Sequence, residues 1–385
     1  MIDKSIKSIA LFSTSRSEFG LIKNLIHILK KNKKIKIYLF VGGSHFIKKY
    51  GDTISEIKKE KIKIDGFFAY GKNKDDEESI SKMLAKSTFL LSKIFSKFKF
   101  ENVMLFGDRH DLLPIIINSI IFRKIIFHVS GGETTEGAID NQIRNIASKA
   151  SHFHFTSAHE YSKKLISLGE KRENIYEVGS LSVDGIKKIR KTSKKKIIHN
   201  YKFNENNPIV GLTYHPSILE EGELVSQKLD IILKTLAKFK FNILITAPSL
   251  ETGSNVVLKK IKSFCKKNKS WIFKNSLGFD HYQKFLMNCD FLIGNSSSGI
   301  IEAPFHKLPT INIGTRQKGR IRHDNIIDVD YSEEKIIKAI KLVLSDNFKR
   351  KIKNMKYKFG DGQAGIKISK IIAKNINNKK IIFKE

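Results

Sequence analysis

The sequence predicts an α/β protein of two doubly wound domains in tandem, and three observations carry that expectation. Short runs of β-branched and aromatic residues alternate with amphipathic helical stretches. The alternation halts in a polar, basic stretch and then starts again. The chain's 385 residues also exceed what one hydrophobic core usually serves. Because the strand-like runs are apolar throughout rather than alternating, they belong to parallel sheets covered on both faces.

In chain order, strands are expected at Ile6–Phe12, Ile35–Val41, Asn102–Phe106, Lys124–Val129 and His152–Thr156. Lys187–Asn207 is rich in Lys and Asn and reads as a linker containing the domain boundary. The second set of strands is expected at Ile209–Thr213, Asn242–Thr246, Trp271–Phe273, Phe291–Ile293 and Thr310–Ile313. The domains are accordingly drawn at 1–190 and 208–355, with 356–385 as a C-terminal helical segment and its helix at Lys367–Lys379. In open sheets of this kind, ligands bind beyond the carboxyl ends of the strands. The unusual residues of this chain gather in those places.

A hydrophobic content of 41% argues against disorder. The net charge of +33 points at first sight to a polyanion or a membrane surface. Only ten of the 71 basic residues are Arg, however, and the lysines are spread over nearly every polar segment. That is a compositional bias rather than a shaped stripe, so no specific nucleic-acid partner is expected. The planar fork of Arg suits phosphate in a way that the Lys point charge does not, so each scarce Arg is a lead. Cys265 and Cys289 read as small buried hydrophobes, and neither a disulfide framework nor a metal site is expected. No run approaches the roughly 20 apolar residues of a membrane span, and the N-terminus shows no cleavage signal. A cytoplasmic protein is expected.

The first strand leads into STSRSEFG, where small polar residues and Arg16 open a helix. A helix N-terminus attracts an anion, although an Arg beside an ordinary capped helix has the same appearance. After the third strand, GDRHD places Asp108 and Arg109 at the tip, either for chemistry or as an N-cap with a local salt bridge. The fourth strand ends in HVSGGETTEGAIDNQIR, the densest polar cluster. Two glycines turn the backbone; Glu133, Glu136 and Asp140 follow, and Arg144 stands four residues after Asp140 on one helix face. His128, His152 and His154 lack a metal-ligand spacing and read as packing or supporting groups.

In the second half, YHP sets His215 after a strand, and Pro248, Glu251 and Ser254 follow another. Gly294, Asn295, Ser296, Ser297, Ser298 and Gly299 then offer amides and hydroxyls at a helix start, a cradle for a diphosphate. Glu302 lies within that helix, placed to accept from ribose hydroxyls. GTRQKGR contributes Arg316, Arg320 and Arg322.

In this order, SRSEFG, GDRHD, HVSGGETTEGAID, YHP, GNSSSGIIEAP and INIGTRQKGR resemble the hydrolysing UDP-N-acetylglucosamine 2-epimerases along nearly the whole chain. The resemblance implies two Rossmann-like domains of the GT-B type, an interdomain active-site cleft, no cofactor and no metal in the chemistry. It implies release of UDP and N-acetylmannosamine for sialic-type acid biosynthesis, by elimination across C1 and C2 followed by hydration. By matching positions it places Asp108, Asp140 and His215 in the catalytic set and Arg16, Ser296, Ser297, Glu302 and Arg316 on the nucleotide. Some members carry a Glu where this chain has Ser130, and Glu133 is the candidate to take over part of its work. The polar loops add Arg109, Arg144, Gly294, Asn295, Ser298 and Gly299 as substrate-binding candidates, and a homo-oligomer (dimer or tetramer) is expected.

Related members act on a UDP- or GDP-linked 2,4-diacetamido-trideoxy sugar for legionaminic acid, which stays open at this point. A GT-B glycosyltransferase would use the same loops but pass the sugar to an acceptor. A basic nucleic-acid-binding protein is the remaining class. Which carboxylate removes the C2 proton is open as well.

Overall fold

The computed structural model describes residues 7–46, 53–68, 76–136, 139–216, 222–248 and 253–375, and the chain forms two compact units. The first comprises residues 1–133, 139–185 and 359–385, and the second residues 134–138 and 186–358. The chain therefore returns to its first unit at the end.

In the first unit, β1 (Lys7–Ser13), α1 (Arg16–Leu29), β2 (Ile35–Gly42), α2 (Thr53–Lys59) and β3 (Gly66–Phe68) come first. Next are α3 (Glu77–Lys97), β4 (Asn102–Phe106), α4 (Leu112–Ile121), β5 (Ile125–Val129) and α5 (Asp140–Ala150). β6 (Phe153–Thr156), α6 (His159–Ser167) and β7 (Ile175–Glu177) complete the run. The sheet order is β3-β2-β1-β4-β5-β6-β7, with every pairing parallel. The two faces of β1 divide by the period of two: Ile9 and Leu11 join the aliphatic core with Ile22, Leu25 and Ile26 of α1. Phe12 turns the other way and stacks on Phe40 and Phe95, at 5.3 and 5.8 Å between ring centroids.

The second unit holds α7 (Lys194–Tyr201), β8 (Ile209–Thr213), α8 (Gly222–Ala237), β9 (Asn242–Thr246), α9 (Ser254–Lys267) and β10 (Trp271–Lys274). It continues through α10 (Gly278–Leu286), β11 (Phe291–Gly294), α11 (Ser298–Phe305), β12 (Thr310–Ile313) and β13 (Ile326–Val329), and ends with α12 (Glu333–Leu344) and α13 (Asp346–Lys353). Its order, β10-β9-β8-β11-β12-β13, is again all parallel. Separate apolar clusters cover the two faces, one around Val210, Leu212 and Ile311 and the other around Ile209, Leu244 and Phe285.

Helix starts follow their capping residues. Ser15, Asp76, Ser193, Ser332 and Ser345 each accept from an N–H three residues on, a bond worth about 1 kcal/mol at a helix start. The stretch expected as a linker therefore contains a capped helix, α7, and its Ile197 and Ile198 enter the second unit's core. The last helix, α14 (Ala364–Asn375), begins a turn earlier than expected, because the Asp184 carboxylate accepts from Ala364 N–H and Gly365 N–H at 2.9 and 2.5 Å. It packs on α1, with Ile368 and Ile372 in the first core.

Three strands were not expected: β3, β7 and β13. All are edge strands of three or four residues whose side chains, the buried Phe68 apart, are partly or fully exposed, so they carry no continuous buried run. In each sheet the order reverses beside the first strand, between β1 and β4 in one unit and between β8 and β11 in the other. Turns after those strands form the crevice that ligands use in open sheets.

Candidate active-site clusters

In the first unit the functional turns follow β1, β4 and β5, which are neighbours in the sheet. Arg16 is the first residue of α1, and its side chain lies outside the described residues. Two residues on, Glu18 is buried and accepts from both the N–H and the hydroxyl of Thr14, at 2.5 and 2.8 Å. Burial is the main reason its carboxyl group is pushed up to about 7; the Thr14 bonds oppose that rise, Asp111 adds to it and Arg109 opposes it. Sequence reading passed over Glu18 as a site residue, although Ser15-x-x-Glu18 is the pattern of a capping box.

Asp108 follows Gly107, which turns the chain at a φ of 76°. Asp108 is not the cap of α4: Asp111 holds that position, and Arg109 Nε donates to it at 3.1 Å. Asp108 instead pairs with the Arg144 guanidinium from α5, and another nitrogen of the same guanidinium donates to the Glu133 carbonyl at 2.8 Å. Arg144, expected on the substrate, is 1% exposed. Its two terminal nitrogens are directed into the protein, where burial makes such partners necessary.

Glu133 is itself buried, and the Ser157 hydroxyl donates to its carboxylate at 3.1 Å. Gly132 permits this path: its φ is 79°, and a Cβ there would stand 2.2 Å from the Tyr161 carbonyl oxygen. Asp140 opens α5, where the helix dipole favours a carboxylate. Arg144 thus ties the turns bearing Asp108 and Glu133 to the helix that Asp140 begins. The neighbouring residues Thr134 and Glu136 belong to the second unit, where Glu136 pairs with Lys318 at 2.9 Å.

Of the three histidines read as supporting groups, His152 accepts from the Ile126 N–H at 3.0 Å. His154 pairs with the buried Glu170 at 2.9 Å, and His128 reaches Gly107 and Ser148. Among the described residues no three His, Cys, Asp or Glu side chains converge as a metal site.

In the second unit the turns after β8, β11 and β12 carry the candidates. Gly294 ends β11 at a φ of 135°, where a Cβ would stand 2.0 Å from the Thr213 carbonyl oxygen, so only Gly fits. Asn295 is buried, and its amide is spent on the backbone of His215: it accepts from His215 N–H at 2.7 Å and donates to His215 O at 2.8 Å. Gln317 donates to the Asn295 carbonyl at 3.0 Å, and Arg316 lies 3.5 Å from the same oxygen. The β11 and β12 turns are stitched together in this way. Gln317 carried no signal in the sequence beyond its neighbour Arg316.

Ser297 is the cap position of α11, and the Ser298 hydroxyl meets Tyr282 Oη at 2.6 Å. Gly299 stands over β12, where a Cβ would be 2.9 Å from Thr310. Ser296, Ser298 and Gly299 help to line a small cavity with Thr213 and Asn312. Glu302 accepts from Gln283 at 3.3 Å, and burial pushes its carboxyl group up to about 7. Gln283 in turn accepts from His306 at 2.7 Å, and burial lowers that imidazole to about 4. Tyr282 and Gln283 were not anticipated. Ser254 opens α9 and is buried, whereas Glu251 lies outside the described residues. A cavity of about 560 Å³ beside the edge strand β13, lined by His323, Phe348 and Lys351, contains none of the candidates.

Among the described residues no helix is long and apolar enough to cross a membrane. The family model for UDP-N-acetylglucosamine 2-epimerase matches residues 27–373. The GDP/UDP-N,N'-diacetylbacillosamine 2-epimerase (hydrolyzing) of Campylobacter jejuni is 33% identical over 99% of this chain and 98% of its own. The UDP-N,N'-diacetylbacillosamine 2-epimerase (hydrolyzing) of Legionella pneumophila is 30% identical over 93% of each. Among solved structures, the UDP-GlcNAc 2-epimerase of Neisseria meningitidis bound to UDP-GlcNAc superposes with a TM-score of 0.81 at 17% identity, covering 96% of this chain and 100% of that one. The fold is therefore that of these two-domain enzymes, and the match by sequence runs from end to end: the chain belongs to the hydrolysing UDP-N-acetylglucosamine 2-epimerase family.

Proposed function

We propose that this chain is a hydrolysing 2-epimerase of a nucleoside-diphosphate 2-acetamido sugar. A carboxylate removes the C2 proton, the C1–O bond to the diphosphate breaks, and a C1–C2 double bond forms. Water then adds its hydroxyl to C1 and a proton to C2 from the opposite face, so the free sugar leaves with C2 inverted. The observation that carries this reading is the grip of one buried guanidinium, Arg144, on Asp108 and the Glu133 carbonyl, from a helix that Asp140 opens. Three carboxylates on turns braced in this way suit two proton transfers at adjacent carbons.

In this reading Asp108, Glu133 and Asp140 share the base and acid roles. His215, Arg16, Arg316 and the amides from Gly294 to Gly299 receive the departing diphosphate, whose growing charge calls for donors already in place. Glu302 takes the ribose hydroxyls. Arg109, tied to Asp111, and Arg144, tied to Asp108, orient the acidic turns. A GT-B glycosyltransferase would have less use for three carboxylates on adjoining turns.

The sugar is the finer question. Relatives named for diacetylbacillosamine match at 33% and 30% identity, and the UDP-N-acetylglucosamine 2-epimerase of Neisseria meningitidis at 28% over 88% of each chain. Those matches support the 2,4-diacetamido-trideoxy sugar as the substrate, with N-acetylglucosamine, the sugar that the motifs placed first, as the alternative.

Purified protein is incubated with UDP-N-acetylglucosamine and with UDP- and GDP-linked diacetylbacillosamine in deuterated water, and products are followed by NMR. The expected outcome is free nucleoside diphosphate with a manno-configured sugar deuterated at C2. Asp108→Asn is expected to lose turnover by about a thousand-fold, as when a group acting directly in proton transfer is removed, and to keep its affinity for UDP. Unchanged substrates throughout would falsify the epimerase reading.

A further inference from the structure

Beneath the acidic turns lies a histidine that the chemistry above does not use. His128 is in β5 and is 0% exposed. Its Nε2 lies 2.8 Å from the Gly107 carbonyl oxygen, and its Nδ1 lies 3.1 Å from Ser148 Oγ. A carbonyl oxygen only accepts, so Nε2 carries the proton, and the Ser148 hydroxyl donates to Nδ1. One neutral tautomer satisfies both bonds.

Each segment that the ring touches carries a candidate carboxylate. Gly107 precedes Asp108, and among the described residues nothing lies within 4 Å of where its Cβ would be, so no side chain packs against the turn at that point. Ser148 is on α5, the helix of Asp140 and Arg144. Gly131, two residues before Glu133, rests on the pair: a Cβ there would be 3.1 Å from Nδ1 and 3.2 Å from Ser148 Oγ.

We propose that His128 is the positioning residue of the reaction, a bolt from the interior strand β5 that sets Asp108, Glu133 and Asp140 relative to one another. The proposal rests on the reading that these carboxylates carry the chemistry. It concerns a side chain that touches no substrate and acts only through the turns it holds.

The test compares wild type with His128→Phe, which keeps a ring and loses both bonds, and with His128→Gln, whose amide nitrogen replaces the Nε2 donor. Misplacing a reacting group by about 1 Å costs about a hundred-fold, so His128→Phe is expected to lower kcat by that factor. KM and UDP affinity are expected to stay within about three-fold, because ground-state binding is untouched. His128→Gln is expected to recover most of the lost kcat, and the crystal structure of His128→Phe to show the Gly107–Asp108 peptide displaced. Wild-type kcat in His128→Phe, a loss shared equally by KM, or an undisplaced peptide overturns the proposal. If wild type turns over none of the sugar nucleotides, the epimerase reading fails, and the crystal comparison still decides for or against the bolt. Should His128→Phe not fold, Ser148→Ala carries the same comparison, with a loss of kcat supporting the bolt and an unchanged kcat overturning it.

Discussion

Glu18 shows how much one buried group can decide. Its carboxyl group titrates near 7 rather than near the usual 4.5, chiefly because it has lost water, and ionisation therefore works against the fold. Below pH 4.5 the group is protonated in both folded and unfolded chains. Between about 4.5 and 7 the folded chain alone holds the proton, so stability falls as pH rises through that window and is flat above it. Glu18→Gln keeps an acceptor for Thr14 and removes the titration. Urea denaturation should show the variant gaining on wild type between pH 5 and pH 8, by on the order of 2 kcal/mol. A gap that does not widen with pH would mean that Glu18 is ionised in the fold throughout. The other supporting side chains were legible only in part: Ser15-x-x-Glu18 is a local pattern, whereas Arg144 on Asp108 joins residues 36 apart, and no spacing rule reaches that far.

At the scale of elements, the β11–α11 turn depends on a backbone that comes too close for any side chain. Gly294→Ala combines a φ of 135° with a Cβ 2.0 Å from the Thr213 carbonyl oxygen, and the adjoining Asn295 holds the His215 backbone. The expected loss is roughly 3 kcal/mol of stability together with weaker UDP binding, since the serine turn and His215 move as one. Gly278 offers the contrast, with a φ of 67° and nothing within 4 Å among the described residues, so Gly278→Ala is expected to cost about 1 kcal/mol and leave UDP binding alone. Calorimetric unfolding and UDP titration of both variants check this, and equal losses would refute the clash. The central strands were readable because burial on both faces demands unbroken apolar runs. The edge strands β3, β7 and β13, partly or fully exposed apart from Phe68, meet no such demand.

For the whole molecule, the consequential feature is the chain's return to its first unit. Phe359 stacks on Tyr161 at 6.2 Å between ring centroids, Asp184 caps α14, and Ile368 and Ile372 complete a core begun by β1 and α1. A change near residue 370 should therefore be felt in the unit that holds Asp108. Ile368→Ala and Ile372→Ala are each expected to remove roughly 2–4 kcal/mol from the unfolding of the first unit. Differential scanning calorimetry, with residues 186–358 expressed alone to identify the second transition, reads where the loss falls. A loss confined to the second unit would contradict the assignment of α14.

What the sequence by itself determined was the pair of parallel sheets, the strand ends as the place of chemistry and the family to which the motifs belong. Those are local matters: apolar runs, glycine turns and capping residues declare themselves within a few positions. The tertiary structure alone decided that Arg144 faces Asp108 rather than solvent, that Asn295 is spent on His215, that His128 joins the Gly107 turn to α5 and that α14 closes the first core. Each of these joins residues far apart in the chain, and their energies come from burial and partner geometry, which exist only once the sheets have formed.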